Sequence, residues 1–109
     1  MFYLLLVVAA LVNLIGAFGP ELGFDALWYH LTIPKLYLEW GKITFIPGGL
    51  LYYSAMPKLG ELLYLLGGAN DTIAHLINWS FGLGTCVIVY KISHKYLDSR
   101  YSLLAAVIF

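Results

Sequence analysis

Hydrophobic positions along this chain follow two patterns, long uninterrupted runs at either end and a mixed, periodic stretch between them. Residues 2–18, FYLLLVVAALVNLIGAF, carry no charge. A helix over them reaches roughly 25 Å at 1.5 Å per residue, the lower edge of a bilayer's hydrocarbon core. No basic residue precedes the run, and Ala17-Phe18-Gly19 makes a poor cleavage site. Residues 1–18 therefore read as an uncleaved first transmembrane helix rather than a signal peptide. A second apolar run, 71–92, follows Asn70 and Asp71, either of which can accept from the free N–H groups of a helix start, and is the predicted second transmembrane helix. His75, Asn78 and Trp79 lie near its beginning. Further along, Ser80 with Gly84 and Gly82 with Cys86 form small-xxx-small pairs of the kind that let another helix approach closely. A third run, YSLLAAVIF at 101–109, is too short to cross a membrane and is expected to be the start of a third transmembrane helix that continues beyond Phe109.

Between the first two runs, residues 19–70 are neither apolar throughout nor a polar tether. From Asp25 to Trp40 the positions Leu27, Leu31, Leu36, Leu38 and Trp40 alternate with polar ones at helical spacing, and Gly41 is a natural stop. Pro34 disfavours helix at Ile33, which predicts a kink or two short helices. The stretch KITFIPGGLLYYS, 42–54, reads as extended. Pro57 then suits the first turn of a helix carrying Leu59, Leu62, Leu63 and Leu66 and ended by Gly67-Gly68. Two amphipathic helices rich in Trp and Tyr, flanked by apolar runs, are expected to lie along the membrane interface.

Composition fits a bilayer protein: 61% of residues are hydrophobic, 11% are charged, and the mean hydropathy is +0.84. Six basic and six acidic residues cancel, which leaves no basic field to recruit nucleic acid. The lone Cys86 excludes an internal disulfide and reads as a small packing residue. Cations set the expected orientation. Residues 91–100, KISHKYLDSR, hold Lys91, Lys95 and Arg100 against the single acid Asp98, so the short loop 93–100 is predicted to be cytoplasmic. The N-terminus then starts inside, and residues 19–70 form an extracytoplasmic loop in which Lys35, Lys42 and Lys58 are spread among Glu21, Asp25, Glu39 and Glu61, with Asp71 just beyond.

Two stretches of that loop, FDALWYHLTIPKLYLEWGKI at 24–43 and MPKLGELLY at 56–64, resemble the first outer loop of polytopic glycosyltransferases of the C-type superfamily, closest to the family 39, protein-mannosyltransferase-like members. The resemblance covers about residues 1–100. It implies an all-α polytopic fold with juxtamembrane helices and a lipid-phosphate-linked sugar as donor. It also implies a catalytic acid early in the first extracytoplasmic loop, the place Asp25 occupies. On this reading the chain is the N-terminal part of an integral protein of the cell's inner or plasma membrane. Its partners are the lipid-linked donor, membrane lipids and the rest of the parent chain, and the part alone is inactive. Many family members carry two adjacent acids here, whereas Asp25 is followed by Ala26 and the nearest other acid is Glu21. No cofactor is called for, and the departure counts against the one group the family would bring, a divalent metal.

Moving a sugar from a lipid phosphate to an acceptor hydroxyl requires a base for the acceptor's proton, and a carboxylate at the bilayer surface meets a donor whose tail stays in the membrane. The departing phosphate needs positive charge or hydrogen-bond donors. Asp25 is thus the expected base, with Glu21, Tyr29, His30, Lys35 and Lys58 as candidate substrate-binding residues. Each has a structural alternative. Asp25 suits a helix N-cap. In an α-helix Asp25 and Tyr29 share a face while His30 is turned about 100° away, the position of a structural histidine. Trp28, Tyr29, Tyr37, Trp40, Tyr52 and Tyr53 suit interfacial anchors, and the lysines suit snorkelling cations. His75 and His94 lie near opposite ends of one predicted span, so the three histidines cannot share a metal. The competing function is a noncatalytic membrane segment of a transporter or of a membrane-complex subunit. Transporters place polar or broken helix at mid-bilayer, and neither full run has a charge at its centre.

Overall fold

The computed structural model describes residues 2–56 and 58–109. It is all-helical, with five α-helices and, among the described residues, no strand. The helices are α1 (Phe2–Gly16), α2 (Thr32–Trp40), α3 (Leu59–Leu65), α4 (Asp71–Ser93) and α5 (Ser99–Ile108). A single π-helical turn, Ala26–His30, precedes α2, and a 3₁₀ segment, Gly49–Ala55, precedes α3. The chain divides into two compact units, an inner one over Gly19–Ile77 and a terminal one made of the residues up to Phe18 and Asn78–Phe109.

Of the described helices, α4 alone, with 23 residues, is long and apolar enough to cross a membrane. The expectation of a spanning first helix is corrected in length: α1 has 15 residues, roughly 22 Å. It ends early because Ala17 N–H is shared between the carbonyls of Asn13 and Leu14 while Phe18 N–H bonds Ile15, a tightened last turn ahead of Gly19-Pro20. In the terminal unit α5 packs against α1. Its two buried residues, Ser102 and Ala106, are four apart, and Ser102 Oγ donates back to the carbonyls of Asp98 at 3.0 Å and Leu97 at 3.3 Å. Close approach therefore uses this small pair. The one expected on α4 is open, since a Cβ built on Gly82 or Gly84 meets no atom within 4 Å. Trp79 Nε1 donates to the Ala10 carbonyl of α1 at 2.9 Å.

The inner unit has its own core, Ile33, Tyr37 and Ile46, against which Tyr29, Leu36, Leu51, Tyr53 and Leu65 pack. Pro34 does divide the helix as its ring demands, but the break falls at Leu31, upstream of the expected Ile33. α2 starts at Thr32, so Pro34 sits in the first turn, where a missing N–H removes no helical hydrogen bond. Gly41 ends α2 in the left-handed region at φ 62°. The extended reading of 42–54 holds only in part. Residues 43–47 form no regular helix, and Ser54 Oγ closes their end by accepting from Ile46 N–H at 2.8 Å and donating to its carbonyl at 3.3 Å. Gly48 and Gly49, at φ 86° and 57°, then turn the chain into the 3₁₀ segment. The expected place of Pro57 in a first turn lies outside the described residues. At the start of α4, Asn70 Oδ1 accepts from Ile73 N–H at 3.2 Å and so provides the predicted cap.

Candidate active site

Asp25 stands at the head of the π turn with helical backbone angles, φ −66° and ψ −37°, and its side chain makes no capping hydrogen bond. It is exposed, and among the described residues it pairs with no cation. A cap needs extended backbone at this position, so the capping alternative is not what the residue does here. The five residues after it widen into a π turn closed by Leu31 N–H on the Ala26 carbonyl at 2.9 Å. Pro34 explains why the widening lies there. Its ring crowds the carbonyl four residues back, that of His30, and Pro34 has no N–H to offer it. Thr32 Oγ1 meanwhile donates to the Leu27 carbonyl at 2.5 Å.

The π turn changes which side chains share a face. In an α-helix five residues advance the chain by roughly 140° beyond a full turn. A π turn closes its hydrogen bond after five residues, which brings His30 round toward the face of Asp25. The α-helical spacing expected here is thereby replaced by a π turn, and the reading of His30 as a satisfied histidine is met by its partner. His30 Nδ1 lies 2.7 Å from Glu61 Oε1 of α3, with 44% of the His30 side chain exposed against 13% for Glu61.

Aromatic rings line the same turn. Tyr29 stacks on Tyr53 at 4.4 Å between centroids, Tyr53 on Tyr52 at 4.2 Å, and the His30 ring tilts against Tyr29 at 4.1 Å. Trp28 meets Phe24 and Tyr53 edge to face. Its Nε1 is buried without a hydrogen-bond partner among the described residues. The Tyr29 phenol is pushed above its ordinary 10.0 by burial first, then by the negative charges of Asp25 and Glu61 and by Tyr52. Tyr53 is raised as well, first by its hydrogen bond with Tyr52, then by burial and by the charges of Tyr52, Tyr29 and Asp25. Both phenols stay protonated at neutral pH and serve as neutral donors.

The other candidate residues are engaged elsewhere. Lys35 Nζ pairs with Asp71 at 2.8 Å. Lys58 Nζ donates to the Tyr37 hydroxyl and lies 5.1 Å from the centre of that ring. Glu21 is turned to His75, 2.8 Å away, and also accepts from Gly23 N–H at 2.5 Å. That backbone bond first, and the His75 bond second, hold its carboxyl below the ordinary value. The described residues bring no three His, Cys, Asp or Glu side chains into a metal-holding group. Sequence reasoning missed Glu61. It is the one acid on α3, but its partner lies a whole subdomain away in sequence, and no local pattern announces such a pair.

Compared with known proteins, the chain matches no protein family, no curated protein and no solved structure.

Proposed function

We propose that this chain is the N-terminal part of a polytopic integral-membrane glycosyltransferase that moves a sugar from a lipid-phosphate-linked donor to an acceptor hydroxyl, with Asp25 as general base. One observation carries the reading. Asp25 is a solvent-facing carboxylate, free of a capping bond, at the head of a π turn lined by Trp28, Tyr29 and Tyr53. A base needs a lone pair that the fold has not already used, and aromatic faces with neutral phenol donors suit a sugar. α4 gives the parent its anchor, and α1 and α5 are the further spans that it extends or packs with neighbouring helices. Lys35 pairs with Asp71 and Lys58 donates to the Tyr37 hydroxyl, which leaves the exposed Lys42 as the loop lysine open to the leaving phosphate.

The competing reading, a noncatalytic segment of a membrane complex, has an observation of its own: the inner unit is self-contained, with a core and ion pairs that ask for no substrate. Asp25→Asn in the full-length parent separates the two. Asn removes the basicity and preserves the shape, so sugar transfer in a lipid-phosphate-sugar assay is expected to fall by about 10²-fold to 10⁴-fold with the protein still inserted. Near-parental transfer by that variant removes Asp25 from the chemistry.

A further inference from the structure

The geometry points to His30, oriented by Glu61, as a second proton-transfer residue on the face of Asp25: the acceptor's proton passes from Asp25 to His30 Nε2. The inference rests on the transfer reaction proposed above and adds to it a residue and a route for the proton.

Three features of the fold meet at this pair. The first is the π turn, which carries His30 toward the side of Asp25 where an α-helix would carry it away. The second is the contact with Glu61, whose largely buried carboxylate lies 2.7 Å from His30 Nδ1. A carboxylate accepts only, so Nδ1 carries the hydrogen and Nε2 keeps its lone pair in the neutral ring. The third is the exposure of the imidazole, 44% of the side chain against 13% for its partner. The anchoring half of the pair is inside and the reactive half faces out. A buried carboxylate that fixes the tautomer of an exposed imidazole and steadies the imidazolium is the arrangement by which enzymes make histidine a directed base.

The charged and titratable groups around His30 come from three elements. They are Tyr29 within the π turn, Glu61 on α3, and Tyr53, stacked on Tyr29, from the 3₁₀ segment, with Asp25, whose charge reaches Tyr29, at the head of the turn. Two are carboxylates and two are neutral phenols. As the sugar moves, the acceptor O–H bond breaks and its oxygen bonds to the anomeric carbon. The bond from that carbon to the phosphate oxygen breaks, and its electron pair leaves with the phosphate. The proton goes first to the Asp25 carboxylate. The proton then passes to His30 Nε2, which returns Asp25 ionised for the next acceptor, and the exposed imidazole releases it to water.

The test is the pH profile of kcat/KM in the full-length parent, whose acidic limb reports the essential base of the free enzyme. With the relay, His30→Gln shifts that limb and lowers kcat/KM at neutral pH roughly tenfold to a hundredfold. Glu61→Gln does the same to a smaller extent, and serves in place of His30→Gln where that variant fails to insert. Asp25→Asn is dead at every pH. A limb and rate unmoved by His30→Gln and Glu61→Gln overturn the relay and leave the Asp25 assignment standing. A parent that transfers no sugar from any lipid phosphate overturns the functional reading itself, and the relay with it.

Discussion

The charge on Asp25 reaches the phenols of Tyr29 and Tyr53, and that influence is measurable without any assay of activity. Both phenols are pushed above the ordinary 10.0, and of the neighbouring charges Asp25 acts most strongly on Tyr29 and least on Tyr53. Asp25→Asn is therefore expected to bring the phenolate absorbance of Tyr29 in at lower pH, with a smaller change at Tyr53, when followed by ultraviolet difference titration of single Tyr→Phe variants. The sign for stability follows from the same direction. Phenols raised in the folded state contribute stability that is fully present below pH 10.0 and is lost as pH rises through their raised values. A titration of Tyr29 indifferent to Asp25→Asn places the carboxylate too far away to serve the same ligand. Asp25 and Tyr29 are legible in sequence because an acid followed four residues later by an aromatic makes a local pattern. His30 reads there as a satisfied structural histidine, which its contact with Glu61 bears out, but the π turn that carries it, ahead of Pro34, is not legible. Glu61 is not legible at all, because only packing of α3 brings it near.

At the scale of elements, turns carry more of the fold than helix propensity does. The turn after α3 is the tightest place in the inner unit. Gly68 at φ 66° is followed by Ala69, a buried residue at φ 52°, and a Cβ on Gly67 would overlap the side chain of Ile73 in α4. Gly67→Ala is thus expected to cost about 1–3 kcal/mol, the usual range for overpacking, read as an earlier thermal transition in detergent by tryptophan fluorescence. An unshifted transition means that the turn and the first turn of α4 do not pack as described. The sequence shows the stop signals well: Gly41 ends α2, Gly67-Gly68 follow α3, and Asn70 caps α4. It misjudges what fills the space between them. Glycine pairs 48–49 and 67–68 look alike on paper, yet one leads into a 3₁₀ segment and the other into the start of a long helix. The difference lies in whether the next residues find a core, as Leu51 and Tyr53 do beside Ile33 and Tyr37.

For the molecule as a whole, hydrophobic runs announce where helices lie and say less about how long they are. α4 is the helix of spanning length among the described residues. The proposed reading of the inner unit as the outer face of a membrane protein depends on which side of the membrane Gly19–Ile77 occupies. Cysteine labelling decides it. Gly48 is a poor place for a reporter, because its φ of 86° strains any side chain. Lys42 is exposed in the inner unit, and Ser99 is exposed at the start of α5. In the full-length parent with Cys86→Ser, Lys42→Cys is predicted to react with an impermeant thiol reagent in intact cells, and Ser99→Cys only after the membrane is permeabilised. Labelling of Ser99→Cys in intact cells with Lys42→Cys protected would put Asp25 on the cytoplasmic side and contradict the account.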